Sequence, residues 1–144
     1  MALAATPVAA QEPAALLNPV GATCISSPFG PRAGVHHNGI DLPAPAGAWV
    51  RAAAPGRITV LRRQGANGLM VELSHPDGTS TRYAHLGTVT PALAGGQKQV
   101  ALGERLGRVG RTGTTRGTHL HFELWRQGQP TDPAQSLQLP PCSR

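Results

Sequence analysis

The chain has 144 residues and carries 13 Lys and Arg against 7 Asp and Glu, which gives a net charge of +6. This length fits one domain, and the positive charge favours an anionic polymer such as nucleic acid, cell wall or acidic lipid as partner. Aromatic residues make up only 3% of the sequence, which argues against single-stranded nucleic acid because its bases stack on aromatic rings. An apolar run of about 18 residues, as a membrane span requires, does not occur in the sequence.

The first residues are rich in Ala and Pro and show no periodicity. We therefore expect residues 1–23 to form a flexible segment and residues 24–144 to form the folded domain. Met1–Ala10 ends in small residues, as the remnant of a signal peptide would, but a plain disordered N-terminus explains it equally well.

From Ser26 onward, short apolar runs alternate with turn signals, a pattern that predicts antiparallel strands and little helix. Pro76-Asp77-Gly78 predicts a hairpin turn. The last dozen residues are expected to form an extended tail held by Cys142. The predicted strands are Gly39–Leu42, Trp49–Ala52, Gly56–Leu61, Leu69–Leu73, Ser80–Ala84, Arg105–Val109 and His119–Trp125. The predicted fold class is thus all-β.

Two cysteines, Cys24 and Cys142, lie near the two ends of the predicted domain. In an oxidising compartment we expect them to pair and to stabilise the fold by about 4 to 5 kcal/mol on a chain-entropy argument. The alternative is two unrelated buried thiols.

Five of the six histidines fall into three clusters, each with a characteristic spacing. The clusters are His36-His-Asn-Gly-Ile-Asp41, Tyr83-Ala-His-Leu86 and His119-Leu-His-Phe-Glu123. Alternate residues of a strand point to one face, so His119 and His121 can converge while Leu120 and Phe122 point to the other face. Imidazole with carboxylate is a usual donor set for zinc, so the clusters predict a metal site.

These motifs together resemble the signature of the lysostaphin and LytM endopeptidases. The resemblance extends over residues 26–134 and includes Ser27-Pro-Phe-Gly30, His37-Asn-Gly-Ile-Asp41 and Gly110-x-Thr-Gly113-x-x-x-Gly117-x-His-Leu-His-Phe-Glu123. It implies an open sandwich of antiparallel sheets with a substrate groove. Six residues, Pro31 to His36, separate the first two motifs, which is short for a loop that borders the groove, so we expect an open groove. Gly107–Gly117 lacks the ending of a phosphate loop and is interpreted as a turn beside the metal.

The resemblance also implies a site, with one Zn²⁺ per chain bound by His37, Asp41 and His121. His85 and His119 are then the catalytic neighbours that orient or deprotonate water and stabilise the intermediate, in roles that the sequence does not divide between them. His36 is expected at the surface, and His75 is expected to be structural.

Three further residues are candidates for supporting roles at this site. Glu123 shares a strand face with both histidines of its cluster and could hold an imidazole tautomer. Tyr83 would share the face of His85 and could donate a hydrogen bond to substrate. Asn38, inside the first cluster, is a candidate for either substrate contact or support.

The resemblance implies a secreted or periplasmic zinc endopeptidase that cleaves the peptide stems and cross-links of peptidoglycan. We expect a monomer, with no nucleic-acid partner and no membrane span. Glycine bridges, direct cross-links between D-alanine and a diamino acid, and free peptides all remain open as substrates. Two alternatives to the endopeptidase function are a zinc-free activator of other cell-wall hydrolases and a carrier domain of the same architecture that passes a phosphoryl group between histidines. The chain retains all three implied zinc ligands, which argues against the activator, and the cysteine pair and the His-Asn-Gly-Ile-Asp motif argue against the carrier.

The net charge predicts that binding to insoluble cell wall weakens with salt. Exposed attractions fade as the Debye length falls from about 10 Å at 0.1 M to about 3 Å at 1 M. Sedimentation with wall material across that range measures the effect. Equal binding at both salt concentrations would assign recognition to the groove instead of the surface charge.

Overall fold

The computed structural model describes residues 15–110 and 118–143. Its strands are β1 (Gly30–Arg32), β2 (Val35–His37), β3 (Ile40–Pro43), β4 (Trp49–Arg51), β5 (Gly56–Arg63), β6 (Leu69–Ser74), β7 (Thr79–Val89), β8 (Gln99–Val100), β9 (Arg105–Val109), β10 (His119–Arg126) and β11 (Gln129–Thr131). The helices within these residues are two single turns, α1 (Pro91–Ala94) and α2 (Ala134–Leu137), besides a 3-10 turn at Gly65–Asn67. None of them has the length and apolarity needed to cross a membrane.

Nine of the strands form one antiparallel sheet, and β1 and β2 form a separate hairpin. The main path of the sheet runs β11-β10-β7-β6-β5-β8, while β9 pairs with both β7 and β4. Strand β10 pairs with β7 along one edge and with β3 and then β11 along the other. The all-β prediction is confirmed, and all seven predicted strands are present with bounds shifted by a few residues.

The core lies on one face of β10 and its neighbours. Leu120 and Phe122 are fully buried there with Ile40 and Leu42 of β3, as the alternation along both strands predicts. The histidines of β10 therefore point to the opposite face, away from this apolar cluster.

Both ends of the described chain pack on the domain, which corrects two expectations. Leu17 donates a backbone hydrogen bond to Ala53, and Ala22 is buried in the core, so the folded unit begins before the predicted boundary at Cys24. The last residues are not simply an extended tail, because they include the helical turn α2. Cys24 and Cys142 form the predicted disulfide, with their Cα atoms 4.7 Å apart.

The predicted hairpin turn at Pro76-Asp77-Gly78 joins β6 to β7. The Gly78 amide donates to the His75 carbonyl at 3.1 Å, and the Asp77 carboxylate accepts from the Thr79 amide and hydroxyl. The His75 ring donates from Nδ1 to the Pro55 carbonyl and lies 2.8 Å from the Thr81 hydroxyl. This buried position agrees with the structural role expected for His75.

Tyr83 is not available to a substrate, contrary to the expectation that it shares the face of His85. It is fully buried against Phe122, and its hydroxyl accepts from the Ala53 amide at 2.9 Å and lies 2.8 Å from the Thr81 hydroxyl. The alternation of β7 fails because His85 has a left-handed φ of 63°, which is rare for a residue with a side chain. Tyr83 is therefore a core residue.

Tyr83 predicts a specific loss of stability at alkaline pH. Burial, only partly offset by its hydrogen bonds, raises its pKa from 10.0 to about 12. Between pH 10 and 12 the unfolded chain releases this proton and the folded chain keeps it, so unfolding becomes easier by on the order of 2 to 3 kcal/mol. Because the chain has one tyrosine, its near-ultraviolet tyrosinate absorbance reports this pKa directly.

Tyr83→Phe is the matched variant for this measurement. At neutral pH it should be less stable by about 1 to 3 kcal/mol, because the buried Ala53 amide loses its acceptor. Its stability should nevertheless fall less than that of the wild type between pH 10 and 12. Equal alkaline losses in urea unfolding would contradict the assignment.

Candidate metal centre

The register between β3 and β10 brings the candidate ligands together. Asp41 is the cross-strand partner of His121, so their side chains lie on the same face. Gly39 permits this pairing, because a Cβ atom there would lie 2.8 Å from the Glu123 side chain and closer still to the Phe122 carbonyl oxygen. The glycine of the His-Asn-Gly-Ile-Asp motif therefore acts through close approach to β10.

Three donor atoms from these motifs form a small triangle. His37 Nε2 lies 3.2 Å from His121 Nδ1 and 3.4 Å from Asp41 Oδ1, and His121 Nδ1 lies 3.1 Å from the same oxygen. A tetrahedral zinc with bonds of about 2.0 to 2.1 Å separates its ligand atoms by about 3.3 to 3.4 Å. All three residues are buried. The donor set and its spacing therefore fit a zinc ion.

The second ring nitrogen of each histidine is held by a protein acceptor. His37 donates from Nδ1 to the Pro28 carbonyl at 2.9 Å, and His121 donates from Nε2 to Glu123 at 2.7 Å. These bonds leave His37 Nε2 and His121 Nδ1 directed at the triangle, as metal-binding histidines require. The expectation that Glu123 could hold an imidazole tautomer agrees with this contact.

The electrostatics of the triangle keep Asp41 ionised. Burial alone would raise the pKa of Asp41, but hydrogen bonds from His121 and His37 lower it well below its ordinary value. Burial alone would lower the pKa of His121, but its hydrogen bonds to Asp41 and Glu123 raise it to about 9. Asp41 is therefore an ionised carboxylate in a buried site, a suitable ligand for a dication.

His85 and His119 lie beside the triangle. Their ring centroids are 5.4 Å apart, and the His85 ring is 5.9 Å from that of His121. His119 Nε2 is 3.5 Å from Asp41 Oδ1, and burial is the main cause of its lowered pKa. The left-handed backbone of His85 turns its ring to this face at the point where β7 leaves β10 and pairs with β9. The structure thus brings both predicted neighbours to the site.

A network that the sequence did not predict surrounds Glu123. Trp125 donates its indole N–H to Glu123 at 2.7 Å, and Arg82 lies 3.5 Å from the same carboxylate oxygen. Burial would raise the pKa of Glu123, but hydrogen bonds from His121 and Trp125 lower it. Glu123 and Trp125 are two residues apart on β10, so the strand alternation indicates that their side chains lie on the same face. Arg82 is adjacent only through the pairing of β7 with β10.

Other residues of the motifs lie outside this cluster. His36 is exposed and packs against Phe29 with 5.0 Å between ring centroids, which confirms its predicted surface position. Asn38 is exposed, and its supporting role remains a prediction. Gly113 and Gly117 of the predicted turn beside the metal lie outside the described residues.

The sequence matches a known peptidase family over all the candidate site residues. Residues 35–133 match Peptidase family M23. The chain belongs to this family. DD-carboxypeptidase/endopeptidase Mpg of Neisseria meningitidis is 44% identical over 132 residues, or 86% of this chain and 29% of that protein. Peptidoglycan DD-endopeptidase ShyA of Vibrio cholerae is 35% identical over 127 residues, or 83% of this chain and 28% of that protein. The chain thus spans less than a third of these M23 relatives.

Solved M23 structures share the fold. A zinc-containing peptidase from Vibrio cholerae matches with a TM-score of 0.72 and 32% identity, covering 85% of this chain and 39% of that one. The catalytic domain of lysostaphin from Staphylococcus simulans matches with a TM-score of 0.65 and 26% identity, covering 79% and 89% of the two chains. The predicted lysostaphin-like architecture is confirmed.

Gly39→Ala should weaken metal binding by displacing β3 from β10. The added methyl group would overlap the Phe122 carbonyl and the Glu123 side chain, so the strands must separate and Asp41 must move from His121. We expect a zinc affinity about tenfold lower, measured by chelator competition, with about 1 to 3 kcal/mol lost in stability.

Gly65→Ala is the control for Gly39→Ala. Gly65 has a φ of 51°, but the space that a Cβ atom would occupy there is open, so alanine strains the backbone away from the candidate ligands. It should lower stability without lowering zinc affinity. Equal zinc affinity in the two variants would show that close approach at Gly39 does not hold the ligands in place.

Proposed function

We propose that this M23 domain is a zinc-dependent endopeptidase that hydrolyses the peptide cross-links of bacterial peptidoglycan. The observation that carries the proposal is the buried triangle of His37 Nε2, Asp41 Oδ1 and His121 Nδ1, whose edges of 3.1 to 3.4 Å suit tetrahedral zinc. The relative named as a peptidoglycan DD-endopeptidase supports the substrate class. Peptidoglycan lies outside the cytoplasm, so the proposal includes a secreted or periplasmic location.

If His37, Asp41 and His121 hold a zinc ion, three protein ligands would leave one coordination position for water. A zinc ion bound by these three residues would lower the pKa of the coordinated water to about 7 and polarise the scissile carbonyl. In the hydrolysis, the water oxygen forms the new C–O bond, the amide C–N bond breaks, and the leaving nitrogen takes up a proton.

His85 and His119 are suited to the proton transfers and charge stabilisation that this reaction needs. Both rings lie on the metal side of the sheet, with His119 3.5 Å from the Asp41 carboxylate. A neutral imidazole accepts a proton from water, and its protonated form can return that proton to the leaving nitrogen. An imidazole N–H also stabilises negative charge that develops on the carbonyl oxygen. We propose that the pair divides these two tasks.

The zinc-free activator is the second candidate function, and the complete donor triangle disfavours it. An activator has no need of two histidines whose distal nitrogens are fixed by Pro28 and Glu123. One ion per chain, in a monomer, is the proposed active form.

Substitutions should separate metal binding from catalysis. Asp41→Ala and His121→Ala remove a proposed ligand, so zinc content and wall-degrading activity should fall together. His85→Ala and His119→Ala keep the three ligands, so zinc should remain near one per chain while turnover falls by about a hundredfold or more. Metal analysis beside a turbidity assay on purified peptidoglycan measures both.

His36→Ala is the matched control, since His36 is exposed and adjacent to the proposed ligand His37. It should retain zinc and activity. If His119→Ala loses zinc and His121→Ala keeps it, the two histidines of β10 are assigned in reverse. If the ligand variants remain active, the proposed enzyme function is wrong.

A further inference from the structure

Arg32 lies beside the candidate metal centre because the hairpin of β1 and β2 is short. Arg32 is the last residue of β1 and pairs with Val35 of β2. The two-residue turn between them, Ala33-Gly34, has positive φ values of 49° and 80°. Such turns suit tight hairpins between twisted strands. At the other end of the hairpin Gly30 pairs with His37, so the strand that carries Arg32 is joined directly to a proposed ligand.

The guanidinium of Arg32 is held beside Asp41 at one of its nitrogens. Nη1 donates to the Ser27 hydroxyl at 2.6 Å and to Asp41 Oδ2 at 3.3 Å. Ser27 is itself paired with Asp41 through the backbone, which fixes the relative positions of all three residues. Asp41 Oδ2 is the oxygen outside the donor triangle, so Arg32 contacts the outer edge of the proposed ligand.

Arg32 retains donors for another acceptor. A guanidinium carries five N–H donors, and the contacts of Arg32 within residues 15–110 and 118–143 use Nη1 alone. Its side chain is 53% exposed, whereas that of Asp41 is 11% exposed. Arg82, by comparison, is directed to Glu72 and Glu123. Arg32 is therefore a solvent-accessible cation in contact with the proposed metal ligand.

We propose that Arg32 binds the carboxylate of the substrate on the leaving-group side of the scissile amide. This inference rests on the proposed peptidase function and narrows its substrate class. The favoured bonds are those whose leaving amine carries an adjacent carboxylate. Two sources supply this chemistry, namely the terminal amino acid of a stem peptide and the diamino acid of a direct cross-link. An internal bond of a glycine bridge lacks that carboxylate.

The spacing in the substrate agrees with this assignment. Three bonds join the scissile carbonyl carbon to the carboxylate carbon of the leaving residue, so these carbons lie less than about 4 Å apart. Arg32 Nη1 lies 3.3 Å from Asp41 Oδ2, on the carboxylate whose other oxygen, Oδ1, belongs to the triangle. A carboxylate one residue away from a carbonyl bound at the triangle is therefore a suitable acceptor for the remaining N–H donors of Arg32. Arginine binds carboxylates through paired N–H donors, which a lysine cannot match.

The local charge also favours an anionic leaving group. A dication together with Arg32 and Arg82 would outweigh the negative charges of Asp41 and Glu123. A substrate carboxylate would offset the excess positive charge, and an uncharged amide would not.

Paired substrates that differ only in this carboxylate test the proposal. Zinc-loaded enzyme is given a stem peptide ending in a free D-alanine carboxylate and the same peptide ending in the carboxamide. A cross-linked dimer with its diamino acid carboxylate free or amidated forms the second pair. The wild type should prefer each acid by about tenfold or more in kcat/KM. Whichever pair shows the larger preference identifies the main source of the carboxylate.

Arg32 variants connect this preference to the residue. In Arg32→Ala the acid-to-amide ratio should approach one, and in Arg32→Lys it should be intermediate. Arg63→Ala removes the same charge from an exposed position on β5, separated from β10 by β6 and β7, and should keep the wild-type ratio. Binding of the uncleaved peptides to His119→Ala should show the same acid preference, and adding Arg32→Ala should abolish it.

Zinc content of each variant separates this role from support of Asp41. A ratio unchanged in Arg32→Ala, with or without loss of zinc, would overturn the proposal. A wild type that cleaves acid and amide equally would overturn it while leaving the proposed function intact. A zinc-loaded wild type that cleaves none of the four substrates would overturn this proposal, and it would overturn the proposed function as well only if the same protein also failed to degrade purified peptidoglycan in the turbidity assay.

Discussion

The antiparallel register between β3 and β10 is the constraint on which the candidate metal centre depends. It places Asp41 opposite His121, and it holds only because Gly39 lets the two strands approach closely. The apolar residues of the same strands, Leu42 and Leu120, are fully buried on the other face. A slip of one residue would bury the proposed ligands in the core and expose that apolar face, so core packing and the geometry of the candidate site require the same register.

The site is also fixed by contacts that extend outward from His121. Asp41 contacts one of its ring nitrogens and Glu123 contacts the other. Trp125 in turn holds the Glu123 carboxylate. A buried carboxylate of this kind is stable because each oxygen has a donor, and the chain of hydrogen bonds restricts the rotation of the imidazole. Orientation of the proposed ligand is thus shared among side chains of one strand face.

Much of this fold and site could be predicted because alternation along strands is readable from the sequence. It placed His119 and His121 on one face and predicted β10 nearly to its ends. The same rule placed Tyr83 on the wrong face, because the local sequence does not indicate the left-handed backbone of His85. The β1–β2 hairpin was missed because its three-residue strands are too short to show a period. Arg32 and Arg82 could not be assigned, because their contacts depend on pairings between distant segments. The packing of residues 15–23 was also missed, because this segment shows no hydrophobic periodicity and its contacts are with distant parts of the chain.

The disulfide also has a mechanical consequence for the domain. It joins residues separated by 118 positions, and Ile25 lies in a parallel bridge with Pro141 beside it. A pulling force applied outside Cys24 and Cys142 passes through the covalent bond between them instead of through the strands they enclose. Such a force would first break the hydrogen bonds and packing of residues 15–23. Unfolding would then halt, because the disulfide would carry the load. The sheet that aligns Asp41 with His121 is thereby removed from the path of the force.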